Sequence, residues 1–267
     1  MILTPKRRSR LELLSSLTRR NLEAKYKGSV LGNLWPIVHQ LAQLAIYTYV
    51  FSVILKVKLN LEALPSGNVS FGLWLYAGLL PWTAFLTGLT QASAAVISNP
   101  NLVKKIVFPL NLLPLVPILS AFVEGFLGFL LLLVLLVVVA GQLHGTALLM
   151  PLVWLPQLLL TAGLGYLTAG VTVFIRDVPQ TLVVLVNIWF YLTPIVYPIS
   201  VVPEQWRGWV LWLNPLATIV ELYRELLIVG RVLHPWEWLV ASIASAIIFV
   251  FGRWVYGRLR PGFADTL

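Results

Sequence analysis

A chain of 267 residues that is 59% hydrophobic and only 11% charged is unlike a soluble domain, which carries about 45–50% apolar and about 25% charged residues. No soluble fold of this length can hide that much apolar surface, so lipid must cover the excess. The net charge of +9 does not describe a nucleic-acid-binding domain, because Lys6, Arg7, Arg8, Arg10, Arg19, Arg20, Lys25 and Lys27 crowd the first tenth of the chain and act there as membrane-orienting charges.

In chain order, Ser9-Arg10-Leu11-Glu12 reads as a capping box opening a helix. Leu11, Leu14, Leu17 and Leu22 give that helix an imperfect apolar stripe. A basic amphipathic helix beside a membrane lies on anionic headgroups, or it offers a docking face to a cytoplasmic partner. A membrane crossing needs roughly 20 mainly apolar residues. Six segments meet that length: 34–55, 73–97, 112–140, 148–175, 178–197 and 238–255. The first is too long for a signal-peptide core and has no cleavage site after it, so it reads as an uncleaved anchor.

Polar stripes run along three of these spans. His39, Gln43 and Tyr47 share one face of the first, with Gln40 adjoining. Thr83, Thr87, Thr90 and Gln91 line the second. Asn187, Tyr191 and Pro194 line the fifth, with Trp189, Phe190 and Tyr197 nearby. Such stripes pack against other helices or line a wet path. His39, Gln43, Tyr47, Thr87, Trp189 and Tyr191 are therefore the candidate residues of a translocation path. Glu124 lies near the middle of the third span, where a carboxylate must be protonated, paired or facing water. Gly163, Gly165, Ala169 and Gly170 allow close helix packing in the fourth.

Between spans two and three, Asn99-Pro100 starts a short helix, and Lys104-Lys105 hold it inside. After the fifth span, Trp206, Trp209 and Trp212 suit a membrane interface. Asn214-Pro215 supplies an N-cap and Gly230 a C-cap, so a helix is expected between them. At about 22 Å it is short for a crossing. Glu221, Arg224 and Glu225 add on the order of 8 kcal/mol against insertion, so it is not counted as a span. With six spans, fourteen cations fall on the cytoplasmic side and five outside. This asymmetry places both termini in the cytoplasm.

No G-x-x-x-x-G-K-[ST] loop is present, so the chain itself holds no ATP or magnesium in the usual way. No H-E-x-x-H or G-x-S-x-G motif occurs, and with no cysteine there is neither a disulfide framework nor a thiolate metal site. A membrane-embedded enzyme acting on lipid-linked sugars remains the rival reading, with Glu124, His39 and Arg176-Asp177 as its candidate groups.

The stretches "RRNLEAKYKGSVLGNLWPI", "YTYVFSVIL", "GLLPWTAF", "NLVKKIVFPLNLLPL", "FIRDVPQ", "FYLTPIVYP" and "LNPLATIVELYRELL" follow one another along nearly the whole chain. In that order they resemble the permease subunits of type-2 ABC exporters for polysaccharides, which move O-antigen, capsule or teichoic-acid chains. Drug or lipid exporters of the same superfamily are the nearest alternative. The resemblance implies an all-α integral membrane protein of the bacterial inner membrane. Residues 1–33 would form a cytoplasmic amphipathic interface segment and residues 34–267 a six-span transmembrane domain, with 203–230 as external re-entrant helices between spans five and six. It implies a homodimer, a lipid-linked polysaccharide as substrate, and two copies of a separate ATP-binding cassette subunit that carries the ATP and magnesium. Candidate ATPase-coupling residues are then Arg19, Arg20, Tyr26 and Lys27 in the first helix and Asn101, Lys104 and Lys105 in the connection between spans two and three. The first and fifth spans would line the channel.

Overall fold

The structure is a computed structural model that describes residues 5–54, 68–104, 108–141 and 143–267. Every regular element among them is helical. Helix α1 runs from Pro5 to Tyr26, so it begins ahead of the Ser9 capping box and carries that motif inside the helix. A glycine turn at Gly28 and Gly32, both with positive φ, leads into α2, Trp35–Thr48, prolonged by wider π-helical turns over Tyr49–Ile54. Then follow α3 (Asn68–Ala94), the short α4 (Pro100–Lys104) and α5 (Leu115–Leu135), which continues through Leu136–Ala140. Helix α6 spans Met150–Thr172, α7 Val178–Leu192, α8 Glu204–Leu213, and α9 Pro215–Arg224 with π-helical turns over Glu225–Val229. Helix α10 is Pro235–Leu259 and α11 Phe263–Thr266.

Among the described residues, four helices are long and apolar enough to cross a membrane: those within Phe71–Ala94, Leu110–Ala140, Gly145–Thr172 and Pro235–Thr266. The other two expected crossings are less regular. Residues 35–54 form one continuous path built from two kinds of turn. Helix α7 is 15 residues long, about 22 Å, because Pro194 disfavours helical backbone at the residue before it. Thr193 is accordingly extended (φ −101°, ψ 132°). Pro194 therefore lies beyond the helix and does not share a face with Tyr191, contrary to the periodic reading.

Helix α3 is the axis of the bundle. Every residue from Phe71 to Trp82 is buried, enclosed by α2, α5, α6, α7 and α9. The most extensive helix pairing joins α6 to α10, and glycine makes it possible. A Cβ on Gly252 would sit 1.9 Å from the Gly163 carbonyl oxygen, and one on Gly163 would meet the Ile248 backbone at 2.6 Å. Small residues let helix backbones approach this closely where no hydrophobic drive operates between helices. At the end of the bundle carrying Lys104 and Arg260, a second cluster of Val96, Leu110, Tyr166, Val173, Tyr256 and Phe263 closes the core.

Candidate functional site

Two polar constructions stand out in an otherwise apolar bundle. The first joins α1 to the core. Lys25 Nζ donates to both oxygens of Glu124 on α5, at 2.9 and 3.0 Å, and Tyr26 Oη donates to the same carboxylate at 3.0 Å. Burial and then the Glu124 charge push the Tyr26 phenol up to about 12, so it remains a neutral donor at physiological pH. The Glu124 carbonyl in turn accepts from Gln40 Nε2 at 3.1 Å, and Tyr76 of α3 donates to Gln40 Oε1. One side-chain and backbone relay thus ties α1, α5, α2 and α3 together. It also resolves the intramembrane carboxylate, which is paired. Replacing Glu124 with Ala removes the anchor of Lys25 and Tyr26 together. Their charge-assisted bonds are partly exposed, so a loss of about 1–2 kcal/mol is expected, read as a lowered unfolding temperature and faster proteolytic release of α1.

The second construction is the turn between α8 and α9 with the helices it fastens. Asn214 caps α9 as its sequence position foretold, its Oδ1 accepting from the Leu216 and Ala217 amides at 3.2 Å each. The same oxygen accepts from Trp189 Nε1 of α7 at 3.0 Å, while its Nδ2 donates to Thr193 Oγ1 at 2.9 Å. Ten residues on, Arg224 is 2% exposed. It donates to the Pro194 and Ile195 carbonyls at 2.6 Å each and to Glu221 at 2.7 Å, and its guanidinium lies 3.5 Å over the Trp74 ring. Those two carbonyls follow the proline break at the end of α7. Buried backbone oxygens need a donor, and Arg224 is the donor that the short α7 requires. Tyr223 extends the link inward, donating to Gln157 Oε1 at 2.8 Å, while Gln157 donates to the Pro81 carbonyl.

Gly230, with φ +74°, ends this helix as expected. Glu225 then holds the following turn: its Oε2 accepts from the Leu233 amide at 2.7 Å and its Oε1 pairs with the His234 ring. The hydrogen bond to Glu225 raises the His234 pKa against the opposing effect of burial, with the Glu225, Glu237 and Glu221 charges adding to the rise. A raised folded pKa gives stability that is fully present below the ordinary value of about 6.5 and is lost as pH rises through the folded value. The wild-type unfolding temperature in detergent should therefore fall as pH rises above neutrality, and a His234→Gln variant should show a flatter profile there.

The predicted path residues are dispersed. His39 is exposed, Gln43 and Tyr47 are half-buried, and Tyr47 packs on Phe51. The neighbour Gln40 is the side chain that turns inward. Thr87 is half-buried, and its fellows Thr83 and Thr90 return their hydroxyls to their own helix, to the Leu80 and Leu86 carbonyls. Trp189 faces the Asn214 turn, packed edge-on to Phe85, whereas Tyr191 is 70% exposed. Of the expected coupling residues, Arg19, Arg20, Lys27, Asn101 and Lys104 are exposed, with Arg19 paired to Glu23 at 2.8 Å. Tyr26 turns inward to Glu124, and Lys105 lies outside the described residues. Arg224 was missed as an organising residue; its spacing of three from Glu221, which lets the pair meet on one helix face, was the available signal.

The chain is 29% identical over 261 residues to the O-antigen export system permease protein RfbA of Klebsiella pneumoniae, covering 96% of this chain and 95% of that one. It is equally similar, over the same shares, to the RfbA of Myxococcus xanthus. The polysialic acid transport protein KpsM of Escherichia coli is 25% identical over 227 residues, 82% of each chain. The family model described as ABC-2 type transporter matches residues 12–228, and with most of the chain covered, this protein belongs to the ABC-2 type transporter family.

Proposed function

We propose that this chain is the membrane-channel subunit of an exporter that carries a lipid-linked polysaccharide of the O-antigen class outward across the inner membrane, driven by ATP hydrolysis in a partner. The observation that carries this reading is the end-to-end match to two O-antigen export permeases, 95% of whose length is covered. Family membership makes the chain a transport subunit that works with an ATP-binding partner. In this reading two copies of the chain meet two copies of that ATPase, and the ATPase holds the ATP and magnesium.

The structural detail supports a division of labour along the chain. α1 and α4 present exposed Arg20, Lys27, Asn101 and Lys104 for contact with the ATPase, with Lys105 beside them in sequence. The relay through Glu124 passes displacement of α1 to α2. Helices α2 and α7 carry the exposed faces with His39, Asn187 and Tyr191 that line the path in the dimer. α8 and α9 form a re-entrant pair whose turn at Asn214 reaches α7 at Trp189, inside the bundle, before α9 returns to Gly230. This makes six crossings, 35–54 and α7 included, with both termini cytoplasmic. Glu124 is held by Lys25, His39 is exposed on α2, and Arg176 and Asp177 are exposed between α6 and α7, so the groups of the enzymatic rival do not converge.

The test is co-purification with the candidate ATPase, only the permease being tagged. Two copies of each subunit, with ATP hydrolysis, are expected. A permease that elutes alone under every nucleotide condition overturns the reading. Replacing Lys104 and Lys105 together by Glu should weaken ATPase coupling while the protein still inserts, and unchanged export would remove α4 from the contact.

A further inference from the structure

The C-terminal half of α1 is seated on α5 by Lys25 and Tyr26, which hold Glu124, and Thr18 is buried beside Ser120. Beneath Leu11, Leu14, Thr18 and Leu22 lies a cleft of about 810 Å³ between α5 and α6, floored by α3. That is within the roughly 300–1,000 Å³ of ordinary ligand sites. Its walls are Leu119, Phe122 and Phe126 on one side and Trp154, Leu155 and Leu158 on the other, with Leu80 and Ala84 at the floor.

Three features identify the occupant. The walls are almost wholly apolar, and the polar side chains at the floor are already satisfied: Gln157 bonds the Pro81 carbonyl and Tyr223 bonds Gln157. Water would find no partners there, and apolar cavities of this kind stay dry or take an apolar guest. The cleft also follows α5 over some eight residues, Leu119 to Phe126, about 10 Å of helix rise, enough to take part of an acyl chain. Finally, the helix that covers its mouth is basic along its length. Ser15 and Arg19 line the cleft and also a shallower hollow on the outer side of α1, together with Glu12 and Ser16. Arg19 donates to Glu23 through Nε, and the other nitrogens of a guanidinium suit phosphate. Arg10, Arg20 and Lys27 stand exposed on the same helix.

We infer that this cleft binds one anionic glycerophospholipid of the cytoplasmic leaflet, an acyl chain filling the space between α5 and α6 and the headgroup phosphate held at Arg19. The bound lipid completes the seat of α1, so the position of the helix that faces the ATPase depends on lipid charge. The effect on the ATPase rests on the contact proposed above for α1, whereas the lipid site itself needs only the membrane setting of the family and is independent of the exported cargo.

The test uses the full chain in nanodiscs containing phosphatidylglycerol with a diazirine on its acyl chain. After irradiation, adducts are mapped by mass spectrometry, with the exposed face of α10 (Ile243, Val250, Phe251) as the reference for ordinary boundary lipid. Labelling at Phe122, Trp154 and Leu158 should exceed that reference about tenfold, equivalent to roughly 1.4 kcal/mol of preference. Ser15→Trp, which plugs the mouth from an exposed position, should abolish the excess and leave α10 labelling unchanged. Arg19→Glu should remove the preference for phosphatidylglycerol over a phosphatidylethanolamine probe. Labelling no greater than on α10, equal labelling by the two headgroups in the wild type, or a polyprenyl lipid or detergent retained in the cleft by native mass spectrometry would each overturn the assignment.

Discussion

Replacing Arg224 by Leu should be among the most damaging single changes in this protein, lowering stability by about 3–5 kcal/mol, the range for breaking a buried ion pair from one side. The substitution strands Glu221, which is 8% exposed, and leaves the Pro194 and Ile195 carbonyls without the donor that satisfies them. The expected result is a large fall in unfolding temperature in detergent, with poor recovery of folded protein. Arg224→Lys should recover only part of the loss, since a single ammonium cannot reproduce the planar fork that reaches both carbonyls and the carboxylate. Gly78→Ala gives an independent check. A Cβ there would meet Arg224 Nη2 at 2.4 Å, so it should push the guanidinium off its acceptors and cost about 1–3 kcal/mol. A wild-type melting profile for Arg224→Leu would show that the end of α7 is held by something other than this arginine.

Gly252→Ala should be comparably disruptive, at or above the usual 1–3 kcal/mol of overpacking. The atom it meets is the Gly163 carbonyl oxygen at 1.9 Å, part of a helix backbone that cannot rotate away as a side chain can. Helices α6 and α10 would have to separate along their whole contact. Gly257→Ala on the same helix is the control, because nothing lies within 4 Å of its Cβ position. It should be neutral or slightly stabilising, as helix propensity predicts. If both alanines behave alike, the α6–α10 approach is looser than described. Because the two glycines differ only in what faces them, the comparison separates packing from propensity.

Much of this protein could be read from its residues in order. Apolar run length marks the four long spans because lipid leaves a backbone no alternative to helix over that distance. Asn214 and Gly230 bounded α9 because capping is local chemistry, decided within three or four residues. The ordered motifs led to the transporter family for the same reason, since short segments carry them. Three things needed the fold. Glu124 could be read only as a carboxylate requiring a partner; that the partner is Lys25, ninety-nine residues earlier, depends on how α1 lies along α5. Gly163 and Gly252 each read as a small residue in a long helix, and only their juxtaposition makes them contact points. Arg224 reads in sequence only as a charge opposed to membrane insertion. Tertiary packing gives it a partner set beneath the broken end of α7, where a buried cation is stabilised by carbonyls beyond the helix that Pro194 ends. Local propensity is encoded within a few residues, whereas compensation between a freed backbone group and a distant side chain exists only once the helices are assembled.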